Sequence, residues 1–370
     1  MATSTQAGAL GPRVVLMSSN GTGMGHLTRL LAYAQGLHGC DVRFLSMSGA
    51  APVVARLGHR YEYLPSRQAT GMRSSSWRRL FLDRLVEYLR RTRPDVVVFD
   101  GTHPYAGMEV AREVVPGSAW VWSRRALWQP GRNVDQLAKE SWFDLVLEPG
   151  DLAEGNDSGA TVGRDAYRVR PVTLVGTADL QPREQARREL GLPAAGPLAL
   201  VSLGAGNIND TSGDLGAAVT ALRSLGVGAC VTRAAIAEQA DDALAVHHVD
   251  DFPVSRRFSA FDLAVSAAGY NSFHENLRLG LPSLFVPNTQ TLLDDQQARV
   301  DHAVREGWAL GAVDLTPRGA EPLLARLLDD GARMARGAQA ADPGNGAGDA
   351  AALLRRLAGL DDVAAGEGGT

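Results

Sequence analysis

The chain has 370 residues, 45% hydrophobic and 21% charged, the profile of a globular protein of two or three domains and not of a disordered one. Its 37 Lys and Arg against 41 Asp and Glu leave a formal charge of −4, which gives no chain-wide footprint for nucleic acid. No run approaches the roughly 18 apolar residues of a membrane span, residues 1–12 carry no secretory pattern, and Cys40 and Cys230 form neither a disulfide framework nor a zinc site, so a reducing, cytoplasmic setting is expected.

In chain order, the short apolar runs Arg13–Ser18, 42–47, 95–100, 120–123 and 145–148 are expected to be strands buried on both faces. Helices are expected between them, for example over 27–37 and 77–91. This is the βαβ alternation of a doubly wound parallel sheet. After residues 172–176, the stretch 178–196 reads as a linker with Pro182, Pro193 and one short charged helix over 183–190. A second set of strands follows at 198–203, 229–232, 245–249, 263–266 and Ser283–Val286. The expected domains are 1–177 and 197–346, followed by a C-terminal helix over 349–357 within a loose segment 347–370. Residues 337–348 are expected to be loose as well. Two such halves leave a cleft at the C-terminal ends of their strands, where open α/β sheets bind ligands.

Four motifs face that cleft. Asn20-Gly21-Thr22-Gly23-Met24-Gly25-His26 follows the first strand and opens a helix, so its glycines allow close backbone approach and the helix end offers N–H donors. His26 stands where a dinucleotide fingerprint needs glycine, and no acidic residue ends the second strand, which argues against a nicotinamide cofactor. At the cleft mouth an imidazole is suited to general-base work; the plain alternative is a histidine that merely caps its own loop. Ser202-Leu203-Gly204-Ala205-Gly206-Asn207 repeats the arrangement in the second half, as a second set of backbone donors or as an ordinary strand-to-helix turn.

The third motif, Val265 to Glu275 with Gly269, Asn271 and Ser272 at the turn, ends a strand in small residues. Asn271 or Ser272 is expected to cap the next helix, whose N-terminus suits a phosphate. Glu275 is placed one turn in, where it can accept hydrogen bonds from a ribose diol or simply complement the helix dipole. The fourth, Asp294-Asp295-Gln296-Gln297, sets carboxylates and amides where sugar hydroxyls can be read. No further acidic cluster accompanies it, so no metal site is expected.

Together these motifs resemble GT-B fold glycosyltransferases, in particular the MurG-like family 28, over most of the chain and most strongly from Pro197 to about Gly307. The resemblance implies two Rossmann-like domains and an inverting, metal-independent transfer from a UDP-sugar, with UDP-N-acetylglucosamine the family's donor. The donor is then a co-substrate and no cofactor is implied. His26 resembles the acceptor's base, and Gly23 and Gly25 belong to its loop. Gly204 and Gly206 match the second glycine loop, Gly269 to Ser272 the phosphate-facing turn, and Glu275 the ribose ligand. Asp295, Gln296 and Gln297 fall in the donor-sugar loop, and Phe252 resembles the segment beside the uracil. The family's hinge arginine is missing from Gly176-Thr177-Ala178-Asp179-Leu180, and Ala267 replaces a second arginine; Arg233 is a substitute by position only.

On the acceptor side, Asp100 ends a strand where it can orient His26, act as base itself, or cap a turn. Trp120, Trp122 and Trp128, with Arg124 and Arg125, line a sugar or anion pocket in one reading; core is the expectation for Trp120. The segment from Trp77 to Arg93 has an apolar stripe and many arginines, suiting peripheral contact with an anionic membrane or packing on the sheet. The rival functions are a nucleotide-sugar hydrolase with a His26-activated water, a nucleotide-sugar sensor without chemistry, and an epimerase.

Overall fold

Alternate residues of the first strand, β1 (Arg13–Ser18), enter different cores: Val14 and Leu16 one, Val15 and Met17 the other. Strand side chains alternate in direction, so a run that is apolar at every position demands a sheet covered on both sides. The computed structural model describes residues 11–19, 24–204, 211–232 and 246–360. After β1 come α1 (Gly25–Gln35), β2 (Asp41–Ser46), α2 (Pro52–Arg56), β3 (Arg60–Tyr63), α3 (Arg67–Thr70) and α4 (Ser74–Thr92). Then follow β4 (Val96–Asp100), α5 (Met108–Arg112), β5 (Ala119–Ser123), β6 (Leu145–Pro149) and β7 (Tyr167–Val169). The seven strands are parallel, in the order β3-β2-β1-β4-β5-β6-β7. The order reverses at β1, and at such a switch point the crevice lies beyond the strand C-terminal ends.

The register sets four polar residues in a row at that edge. Ser46 pairs with Ser18, Ser18 with Asp100, and Asp100 with Ser123. One face of the sheet carries α1 through Leu27, Leu30 and Leu31; the other carries α4 through Trp77, Phe81, Leu85 and Leu89. The stripe of α4 that suits a membrane is thereby consumed by the core, and its arginines Arg78, Arg79, Arg84, Arg90 and Arg91 form the exposed face. The sheet-packing reading of this segment is the one the fold adopts.

The second sheet begins after α6 (Arg183–Glu189). It comprises β8 (Leu198–Ser202), α7 (Ser212–Ser224), β9 (Gly228–Thr232), β10 (His247–Val249), β11 (Leu263–Ala267) and α8 (Tyr270–Arg278). It closes with β12 (Ser283–Val286), α9 (Gln296–Arg305), β13 (Leu310–Gly311) and α10 (Pro317–Ala341). Its six parallel strands run β10-β9-β8-β11-β12-β13, again reversing beside the first strand of the unit. The stretch read as a linker is packed into this unit. Ala186 and Leu192 share a core with Leu198, Leu200 and Phe258, and buried Arg187 donates to the carbonyls of Ala260, Pro193, Ala194 and Gly196.

Residues 337–348 are not loose. α10 runs on to Ala341, and residues 342–346 are pinned against the first crossing between the domains. Arg278 binds both Asp342 oxygens at 2.8 Å, the Gly344 carbonyl, the Pro171 carbonyl and the Thr173 hydroxyl, and so ties both crossings together. Asn345 bonds the backbone N–H and carbonyl of Thr173. At Gly346 a Cβ would stand 2.1 Å from the Arg170 carbonyl oxygen, so only glycine allows the approach. α11 (Ala347–Leu357) then returns to the first domain, where Ala350, Ala351 and Leu354 complete the core beside α1.

Candidate active site

The C-terminal edge of the first sheet holds a buried carboxylate with several partners. Asp100 Oδ1 accepts from His26 Nδ1 at 2.6 Å and Arg29 Nη2 at 2.5 Å; Oδ2 accepts from Arg29 Nε at 3.0 Å and Ser123 Oγ at 2.7 Å. Tyr33 Oη stands 3.0 Å from that serine oxygen. The arrangement follows from sequence spacing. His26 and Arg29 lie three residues apart on one face of α1, and the strand register delivers Asp100 and Ser123 side by side. Burial alone would raise the Asp100 pKa, but Arg29 and the His26 hydrogen bond outweigh it and hold the carboxyl at about 2. Asp100 therefore stays ionised beside the imidazole, with both of its oxygens occupied. Its bond to Nδ1 assigns the imidazole proton there and leaves Nε2 as the basic nitrogen. Burial, partly offset by Asp100, holds His26 below its ordinary 6.5.

Across the cleft, α8 begins at Tyr270 with Gly269 as N-cap and no side-chain cap. The expected capping by Asn271 or Ser272 does not occur. Asn271 Nδ2 instead donates to the Gly25 carbonyl at 3.3 Å, joining the first turn of α8 to the start of α1, and half-buried Ser272 lies beside it on that turn. Glu275 is buried, and its Oε1 has no hydrogen-bond partner among the described residues. Burial pushes the Glu275 carboxyl up to about 7, against the pull of the Ser255 hydroxyl, the Leu174 N–H and Arg278.

Between the two halves stands a network that the motifs did not disclose. The Tyr270 ring is flanked by the guanidiniums of Arg29, Arg125 and Arg299, at 5.2, 6.0 and 5.7 Å from its centroid. Arg299 binds Asp151 and Asp294, both at 2.8 Å, and Arg125 binds the same Asp294 oxygen at 2.7 Å. Backbone bonds from Gln129 to Leu293 and from Asp295 to Leu127 frame an antiparallel bridge between Trp128 and Asp294. The acidic residue engaged across the cleft is thus Asp294. Asp295 caps α9 by accepting the Ala298 N–H. Gln296 is buried, accepting from the Asn288 N–H and donating to Asp294; Gln297 pairs with Asp301 along α9.

Other expected residues are placed as follows. Gly25 opens α1, and Gly204 takes a left-handed φ of +100° that favours glycine. Phe252 is half-buried and packs against the first-domain core. Gly23, Gly206 and Arg233 lie outside the described residues. Trp120, Trp122 and Trp128 are all buried in the core, and fully buried Arg124 is held by Glu140 and Glu148. Among the described residues, no three His, Cys, Asp or Glu side chains gather as a metal site would require, and no helix is long and apolar enough to cross a membrane.

No protein-family model matches the chain, and no curated protein does. Solved structures do match. Spinosyn forosaminyltransferase SpnP aligns over 94% of this chain and 99% of its own at 16% identity, with a TM-score of 0.67. MurG of Acinetobacter baumannii aligns over 93% and 99% at 20% identity, with a TM-score of 0.58. The glycosyltransferase VinC, solved with dTDP, aligns over 94% and 99% at 18% identity, with a TM-score of 0.62. With its two parallel sheets and the crossing that returns α11 to the first, the chain has the GT-B fold of these glycosyltransferases.

Proposed function

We propose that the protein is an inverting glycosyltransferase that moves a sugar from a nucleoside-diphosphate sugar, UDP-N-acetylglucosamine being the first donor to test, to an acceptor hydroxyl. The observation that carries the reading is the 2.6 Å bond between His26 and Asp100, with Asp100 further held by Arg29 and Ser123. In this reading the acceptor O–H gives its proton to His26 Nε2 as its oxygen bonds the anomeric carbon. The bond from that carbon to the phosphate oxygen breaks on the opposite face, and the nucleoside diphosphate leaves with the electron pair. The N-terminus of α8 and the cleft guanidiniums meet the charge that develops, without a metal ion. Glu275, with an unpartnered carboxylate oxygen, and Ser255 beside it suit the ribose hydroxyls, and Phe252 follows the strand beside which the base would lie.

The test is nucleotide release from UDP- and TDP-sugars, with and without a mixture of hydroxyl acceptors and without added metal. Release that requires the acceptor, and a product of inverted anomeric configuration by NMR, is expected. Equal release in buffer alone would sink the transfer reading.

A further inference from the structure

Arg125 is the least committed cation of the cleft. Of the three guanidiniums around Tyr270, Arg29 engages both oxygens of Asp100, and Arg299 engages Asp151 and Asp294. Arg125 makes one hydrogen bond among the described residues, from Nη1 to the Asp294 oxygen that Arg299 already occupies. Its side chain keeps 15% of its surface exposed, against 2% for Arg29 and none for Arg299. It follows β5 at the edge where the crevice opens, and it faces the uncapped first turn of α8. Arg299 stands at the same turn, with Nη1 on the Ala268 carbonyl and Nη2 buried without a partner among the described residues. Guanidinium N–H groups therefore outnumber the oxygens that receive them at this turn, which is the composition of a site for an anion with several oxygens.

We propose that Arg125 binds the diphosphate of the nucleotide-sugar donor, leaving Asp294 to Arg299 as it does so. The inference rests on the transfer reading above and names the residue that meets the leaving group. The hinge segment Gly176–Leu180 supplies no cation to the cleft. The planar fork of Arg125 offers two parallel N–H bonds to phosphate oxygens. Because Arg125 belongs to the first domain and α8 to the second, the diphosphate bridges the domains. As the sugar–phosphate bond breaks, the electron pair stays on the diphosphate oxygen and Arg125 faces the added charge.

Calorimetric titration of the full chain with UDP, UMP and uridine, and with the thymidine series, tests this without an acceptor. Arg125→Ala is expected to weaken diphosphate binding at least tenfold, the monophosphate less, and the nucleoside not at all. Arg125→Lys should fall between, and it supplies the comparison if the alanine variant melts early. Asp294→Asn, which releases Arg125, should bind the diphosphate at least as well as wild type. Unchanged diphosphate affinity in Arg125→Ala, or equal losses for diphosphate and nucleoside as a broken clasp would give, overturns the proposal and leaves the transfer reading standing. A wild-type protein that binds neither nucleotide series overturns both.

Discussion

The Tyr270 hydroxyl donates to the Gly150 carbonyl at 2.9 Å and accepts the Val172 N–H at 2.9 Å, so one side chain at the start of α8 satisfies two backbone groups of the opposite domain. Four residues on, His274 Nε2 accepts the Leu152 N–H, and four further Arg278 gathers the two crossings. α8 is thus the element that locks one domain to the other along its length. Tyr270→Phe keeps the ring and its three guanidinium neighbours but leaves both backbone groups unpaired. A loss of about 1–3 kcal/mol in urea unfolding is expected, with an unchanged far-UV spectrum. A neutral substitution would show that the hydroxyl does not hold the domains together.

The pH dependence follows from the dyad. His26 accepts a proton only when neutral, and burial keeps it below 6.5. The plot of kcat/KM against pH should rise through a midpoint under 6.5 and be flat by pH 7.5. His26→Ala should lower kcat about 10²–10⁴-fold with donor affinity nearly unchanged. A profile still climbing at pH 8 would assign the base to another group.

Glu275 gives a stability signature of the opposite sign to that of a salt-bridged acid. Its folded pKa of about 7 lies above the ordinary 4.5, so its contribution is fully present below pH 4.5 and is lost as pH rises through 7. Glu275→Gln carries no charge to lose. The variant should melt with wild type at pH 4.5 and several degrees above it at pH 8, in the absence of nucleotide. Parallel melting curves at both pH values would count against a carboxyl strained by burial.

Leu354 lies in the last helix, yet its side chain belongs to the first-domain core. Leu354→Ala should cost about 2–5 kcal/mol. Hydrogen exchange should show the loss in α1 and β1 and leave the second sheet protected; loss confined to α11 would mean that the helix is merely laid on the surface.

What the sequence discloses depends on where a residue's partners lie. The central strands were legible because burial on both faces makes each position apolar. The edge strands β3 and β7 were not, since Arg60, Tyr61, Tyr63, Tyr167 and Arg168 are exposed. Asp100 stands at a strand end and His26 at the start of α1, and their meeting is foreshadowed by the switch point; Arg29, three residues after His26, was within reach of the same argument. The cluster on Tyr270 was not, because Arg125, Tyr270 and Arg299 come together only once two separate sheets face each other. The Ala- and Gly-rich end of α10 was misread as loose for a related reason. Small residues there permit close packing, and Ala338 is buried in one core with Phe273, Leu277 and Phe285.

The return of α11 to α1 means that the first domain is written in two separated stretches of the chain, with the whole second domain between them. During synthesis the N-terminal sheet leaves the ribosome with one flank incomplete, its α1 lacking the cover of Ala350, Ala351 and Leu354 until residue 357 has emerged. The second domain, contiguous from α6 to α10, has all its parts sooner after its own first residue appears. Cutting the gene between the two halves would therefore not yield two folding units; it would give one complete domain and one missing its closing wall.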